Sequence, residues 1–98
     1  MARFDVYRTY DGTVVVDCQA DLLSYLKSRF VVPLLPPELE PPITERLNPS
    51  FLIGEDRYVL FPQFASSLPL SELKERVTSL AENDTQILRA FDMLASGF

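Results

Sequence analysis

An alternating segment, a tight turn and a β-branched segment follow one another in the first eighteen residues, and this order restricts the fold more than any other feature of the chain. From Arg3 to Tyr10 the side chains follow a two-residue period, as in a half-buried strand. Asp11-Gly12 is a favourable hairpin turn, and the β-branched stretch from Thr13 to Cys18 is typical of a returning strand. We therefore predict a β-hairpin over Arg3 to Cys18.

Prolines divide the middle of the chain into short extended segments. Phe30 to Leu35 is predicted to be a buried strand, and Pro33 marks an edge, an end or a bulge because it has no amide donor. Residues 51–53 and 58–61 flank a polar stretch and predict a second hairpin, which ends at Pro62. The segment 38–48 is predicted to be an exposed connection.

Two segments permit more than one interpretation. Residues 21–28 are too few for an independent helix and fit either a turn or a single helical loop. Leu68 to Leu70 fits the start of a short strand, but Ser71 to Val77 is rich in helix formers. The pattern does not decide between strand and helix there.

One helix is predicted at the C-terminal end. Ser79 and Glu82 have the spacing of a capping box, so the helix is expected to begin near Leu80. Gly97 suits its C-terminus. The expected apolar face contains Leu80, Ile87, Phe91 and Leu94. Several strands followed by one helix predict a mainly β protein, a small barrel or twisted sheet, with residues 1–98 as a single domain.

Charge and composition narrow the classes of partner. The chain has 9 basic and 14 acidic residues, no histidine and a net charge of −5, so we do not expect it to bind DNA directly. No apolar stretch approaches the ~20 residues of a membrane span, and the N-terminus does not resemble a secretory signal. Cys18 is the only cysteine. We expect a cytoplasmic protein with protein partners and no membrane contact.

Few catalytic designs are compatible with these residues. The missing histidine and the single cysteine exclude Ser-His-Asp triads, Cys-His dyads and the usual zinc sites. The three glycines are far apart, so there is no phosphate-binding loop. Asp17 and Asp21 fit hydrogen-bonded turns better than a cation site or an acid–base pair. We expect no enzyme activity, no metal and no cofactor.

A resemblance to a known family covers almost the whole chain. Val16 to Leu23 resembles the V-D-x-Q-[SA]-D-[IL]-[IL] stretch of the CcdB toxin family. Further segments resemble the family in the same order: Phe4 to Tyr7, Arg29 to Leu34, Ile53 to Glu55, Ala65 to Leu70, and the closing Gly97-Phe98.

The resemblance implies an SH3-like small barrel, or twisted antiparallel sheet, with one C-terminal α-helix. It also implies a homodimeric toxin of a toxin–antitoxin system, of the kind that serves plasmid maintenance. Such a toxin poisons DNA gyrase by binding its A subunit, and a small antitoxin neutralises it. DNA is a partner only indirectly, through the antitoxin complex.

The resemblance also assigns residues to these partners. The gyrase-binding residues would be Met93, Ser96, Gly97 and Phe98. The antitoxin-binding residues would be Arg8, Asp11, Gly12, Glu38, Glu40 and Arg46.

The tail departs from the family's best-known ending, Trp-Gly-Ile, because Ser96 stands at the tryptophan position. Phe98 offers aromatic area that either inserts into a partner or packs within the protein. Two alternatives therefore stay open. One is a related barrel toxin that cleaves messenger RNA, and the other is a decayed toxin that retains only antitoxin binding.

Overall fold

The predicted N-terminal hairpin is present in the computed structural model, which describes residues 2–97. Strand β1 (Asp5–Thr9) pairs antiparallel with β2 (Val14–Asp17), with Val6 opposite Val16. Gly12 has a φ of +90°, which a residue without a Cβ adopts readily. The turn chemistry of the sequence was therefore a sufficient guide to this hairpin.

Five further strands extend the sheet, and every pairing is antiparallel. The order across the sheet is β4-β5-β3-β2-β1-β7, and β6 pairs with β3 beside this path. The curled, half-barrel sheet with one C-terminal helix confirms the mainly β prediction. The strand bounds are β3 (Ser28–Leu35), β4 (Ser50–Ile53), β5 (Asp56–Leu60), β6 (Ser66–Pro69) and β7 (Leu73–Ser79).

Pro33 was predicted at an edge, an end or a bulge, but it lies in the interior of the central strand β3. On one side β3 pairs with β2 from Val31 to Leu34, and on the other side its partner changes. Val31 is opposite Ser66 of β6, whereas Leu34 is opposite Leu60 of β5. Pro33 stands between these two pairings, where the missing amide breaks no continuous ladder.

The segment between β6 and the helix is a short 3₁₀ turn followed by β7, and not a helix. β7 pairs with β1, and this pairing overrides the helix propensity of its charged residues. The capping-box prediction was also wrong, because Ser79 is the last residue of β7. Its hydroxyl accepts the N–H of Ala81 at 3.1 Å. The helix α1 (Asp84–Ser96) begins only after a 3₁₀ turn over Ala81–Asn83.

The core lies between the concave side of the sheet and α1. Ile87 and Ala90 are the fully buried residues of α1, and Phe91 is half-buried with its ring centre 5.6 Å from that of Phe30. Leu94, predicted on the apolar face, is 47% exposed. The buried core residues packed together are Phe4, Val6, Val14, Val16, Cys18, Val32, Leu34, Phe51, Leu60, Leu80, Ile87 and Ala90. No helix within residues 2–97 has the length and apolar character needed to cross a membrane.

Candidate functional site

The last turn of α1 carries three of the four residues that the resemblance assigned to gyrase binding. Gly97 adopts a left-handed φ of +78° and donates its N–H to the Met93 carbonyl at 2.9 Å. The Met93 side chain is half-buried, whereas Ser96 and Gly97 are exposed. Phe98 lies outside the described residues. The glycine cap therefore ends the helix where the chain is open to solvent.

The first hairpin turn carries three of the residues assigned to the antitoxin. Asp11 accepts hydrogen bonds from the Thr9 hydroxyl and from the N–H of Thr13. These bonds, that of Thr9 first, lower the pKa of Asp11 to about 2. Arg8 forms an ion pair with Glu75 of β7 at 2.9 Å, and both side chains are well exposed. Such a pair holds Arg8 weakly, so its guanidinium is available to a partner.

The structure brings this turn close to the start of the loop between β3 and β4. Arg8, Asp11 and Gly12 line one depression of about 320 Å³ together with Pro36 and Leu39. Leu39 is 68% exposed at its margin. Glu38 lies beside a neighbouring depression, next to Arg57 and Tyr58 of β5. The hairpin turn and residues 36–39 therefore form one continuous candidate surface.

The remaining antitoxin-assigned residues are elsewhere on that loop. Glu40 is half-buried within it, and Arg46 faces Gln86 and Arg89 of α1, away from the hairpin turn. The structure therefore does not bring all six residues together in one depression.

Asn48 shows that the loop is not simply a solvated connection. Its side chain is 3% exposed and accepts the N–H of Ile43 at 2.9 Å. It also donates to the carbonyl of Leu60 and to the Gln63 side chain, both at 3.0 Å. The segment 38–48 is therefore exposed along much of its length but fixed at its end by a buried amide.

The V-D-x-Q segment forms a buried polar network. Asp17 is fully buried, and one of its oxygens accepts from both Nε and Nη2 of Arg29, at 2.9 and 2.6 Å. Its other oxygen accepts the N–H of Gln19. Gln19 in turn accepts the N–H of Phe30 and donates to the Leu23 carbonyl. These residues join the end of β2 to β3 and to the turn after β2.

Asp17 and Asp21 do not converge on a common site. Asp17 is engaged by Arg29, and Asp21 accepts the N–H of Arg3 at 2.8 Å. No group of three metal-ligating side chains occurs within the part of the chain that the structure describes. Burial, with Asp17 nearby, raises the pKa of the Cys18 thiol to about 12, so this thiol is a weak nucleophile.

The residue pattern did not predict the exposed apolar segment that lies between β2 and β3. Leu22 and Tyr25 are 87% and 76% exposed, and Leu23, Leu26 and Phe30 are also exposed. Large contiguous apolar surfaces usually mark contacts with other molecules. The 3₁₀ turn over Asp21–Leu23 directs these side chains outward, and the residue types alone did not reveal that direction.

Comparison with known proteins identifies the family of the chain. Residues 3–97 match the family model described as CcdB protein. A search of curated proteins found none that matches the chain. The matched range contains every assigned residue except Phe98.

Proposed function

The chain belongs to the CcdB family, a family of toxins from toxin–antitoxin systems, and on that premise we propose that it poisons DNA gyrase by binding the A subunit. The observation that carries the proposal is the family match over residues 3–97. The exposed last turn of α1 supports it, because Ser96 and Gly97 are accessible to a partner. Binding of this kind requires no catalytic residue in the toxin.

We propose further that the toxin is a homodimer that associates through the exposed apolar segment 22–30. Phe30 packs against Phe91, so this surface is continuous with the side of α1 that precedes the tail. Two copies that meet there would bring both tails to one side of the dimer. Removal of Leu22, Tyr25 and their neighbours from water would supply the main driving force.

The antitoxin is proposed to bind the surface made by the hairpin turn and residues 36–39. Arg8 and Asp11 supply charges of both signs there, and Leu39 supplies an exposed apolar contact. Alanine substitution of Arg8, Asp11 or Leu39 should weaken antitoxin binding. Each variant should still unfold cooperatively on heating, which shows that it is folded. Unchanged affinity in all three variants would remove this surface from the proposal.

The decisive experiment measures DNA cleavage by purified gyrase with ATP in the presence of this protein. The intact chain is compared with a chain that lacks residues 96–98, and with the full-length variant Glu55→Gln on the exposed second hairpin. Cleaved DNA should accumulate with the intact chain and with Glu55→Gln, and not with the truncated chain.

The alternative functions predict other results. If no form of the protein affects gyrase, incubation with messenger RNA tests the nuclease alternative. If RNA also stays intact, toxicity on expression distinguishes an active toxin with another target from a decayed one.

A further inference from the structure

A second, smaller apolar cluster lies on the convex side of the sheet, away from α1. Tyr7, Val15 and Val31 are buried there, and Leu68 and Leu73 pack against them. A cavity of about 210 Å³ adjoins this cluster and shares Val15, Val31 and Leu68 with it. We call it the convex-side cavity. Its apolar wall is part of a packed cluster, so the cavity is formed before any ligand arrives.

The convex-side cavity is separate from the candidate antitoxin surface. Val15 of β2 and Pro33 of β3 are opposite each other, and both line the cavity. The next pair, Val14 and Leu34, lines the depression beside Leu39. Successive residues of a strand point to opposite faces of a sheet. The two depressions therefore open on opposite faces, and only the tip of the hairpin turn contributes to both.

The charged residues of this cavity have a single sign. Asp11 and Glu72 line it, and within the described part of the chain no lysine or arginine does. Neither carboxylate belongs to an ion pair among residues 2–97. The Thr9 hydroxyl and the Thr13 N–H both donate to Oδ1 of Asp11, which leaves Oδ2 available to a ligand. Two uncompensated carboxylates beside one cavity favour a cation.

An aromatic ring completes the lining. Phe64 stacks on Phe61, with 5.6 Å between the ring centres, and Phe61 is only 1% exposed. Phe64 itself is 48% exposed and lines the cavity. The buried neighbour holds the exposed ring in place. The face of such a ring attracts a guanidinium or ammonium group.

We infer that the convex-side cavity binds a small organic cation, which carries a guanidinium or ammonium group on a short apolar chain. Asp11 and Glu72 accept hydrogen bonds from the cation, and the Phe64 ring contacts it. The apolar chain packs on Val15 and Val31. The cavity is smaller than the ~300–1,000 Å³ of sites for drug-sized ligands, so it suits a small free molecule. The inference does not depend on the proposed action on gyrase.

The test uses n-butylguanidinium as the probe and n-butylurea as its uncharged counterpart of nearly the same shape. Each is titrated into the intact protein, and binding is followed by the NMR shifts of the Thr13, Val31 and Leu68 amides. The guanidinium compound should give saturable shifts at these amides, and the urea should bind at least about tenfold more weakly. The blocked peptide Ala-Ala-Arg-Ala-Ala presents the same group on a chain and should bind no more tightly than the free probe.

Substitutions test the two groups that are assigned to the cation. Glu72→Gln and Phe64→Leu should each weaken binding of n-butylguanidinium by about threefold. Glu82→Gln is the matched control, because it removes the same charge from the exposed 3₁₀ turn over Ala81–Asn83 and should leave the affinity unchanged. Thermal unfolding shows that each variant is folded.

Several results would overturn the inference. These are equal binding of the urea, tighter binding of the peptide, unchanged affinity in Glu72→Gln, an equal loss in the Glu82→Gln control, and no saturable shift at the three amides. The last two would mean that the cation is attracted only by the net negative charge of the protein. Gyrase cleavage is a separate measurement, so failure of the toxin proposal leaves these titrations interpretable.

Discussion

At the scale of single residues, the V-D-x-Q segment is explained by folding rather than by ligand binding. Asp17 and Arg29 are both at most 1% exposed, and the guanidinium also donates to the Ser24 carbonyl. Two charges removed from water are stable only when they compensate each other and their remaining hydrogen-bonding groups are satisfied. The pair therefore fixes the turn over Asp21–Leu23, and with it the direction of the exposed apolar segment.

Loss of one partner from this pair should be strongly destabilising. Arg29→Met leaves a buried carboxylate without its counter-charge and should lower the free energy of unfolding by about 3–5 kcal/mol. Asp17→Leu/Arg29→Met, which removes both charges, should recover a large part of that loss. Urea unfolding measures the free energy of unfolding of both variants. The control is Arg8→Met at an exposed ion pair, which should lower this free energy by less than about 1 kcal/mol. If Arg29→Met lowers the free energy of unfolding no more than this control does, the stabilising role assigned to the buried pair is contradicted.

Asp11 should make the stability of the protein depend on pH in the acidic range. Its pKa is about 2 in the folded protein, below its ordinary value of 3.8, because Thr9 and Thr13 donate to the carboxylate. The stabilisation is therefore complete above about pH 4 and is lost as the pH falls towards 2. Asp11→Asn should show a smaller fall in melting temperature between pH 4 and 2 than the unsubstituted protein. Asp56→Asn is the control, and identical pH profiles for both variants would argue against a special role of Asp11.

At the scale of elements, the sequence predicted those structures whose causes are local. Both hairpins follow from alternation and from turns at Gly12 and Gly54, and the end of α1 follows from Gly97. The failures have non-local causes. β7 is a strand because it completes the hydrogen bonds of β1, about seventy residues earlier, and Ser79 caps no helix because that strand includes it. A local pattern contains no information on such pairings.

The loop after β3 should loosen when its buried amide is removed. Asn48→Ala leaves the N–H of Ile43 and the carbonyl of Leu60 without their partner, at a cost of about 1–3 kcal/mol in unfolding free energy. Hydrogen exchange at Ile43 should accelerate more than that of the β1 amides. Asn83→Ala, which removes only an exposed hydrogen bond to Gln86, is the control. Equal exchange at Ile43 in both variants would contradict the anchoring role.

At the scale of the whole molecule, the candidate surfaces are built from different elements of the fold. The hairpin turn with residues 36–39 and the segment 22–30 share no residue. The sequence resemblance assigned residues of the tail and of the hairpin turn, which are adjacent in the chain, and these assignments stay predictions. It gave no sign that Arg89 of α1 lies beside Arg46, because only the packing of the helix against the loop after β3 brings the two together.

The apolar segment should control the oligomeric state. Tyr25→Asp places a charge in the proposed dimer contact and should convert a dimer into a monomer in analytical ultracentrifugation. Tyr10→Asp is the matched control, because Tyr10 is 67% exposed but stands near the tip of the first hairpin. A monomeric unsubstituted protein, or a Tyr25→Asp variant that remains dimeric, would refute the proposed interface.

The pairing of β1 with β7 has a consequence for synthesis of the chain. β1 is translated first, but its second edge stays open until residues 73–79 have left the ribosome. The sheet therefore closes only after β7 has been translated, and α1 emerges from the ribosome after that. A ribosome that stalls before β7 releases a chain with an unpaired edge and without the last turn of α1. If the last turn of α1 is needed to poison gyrase, the chain becomes harmful only after every strand of the sheet has been translated.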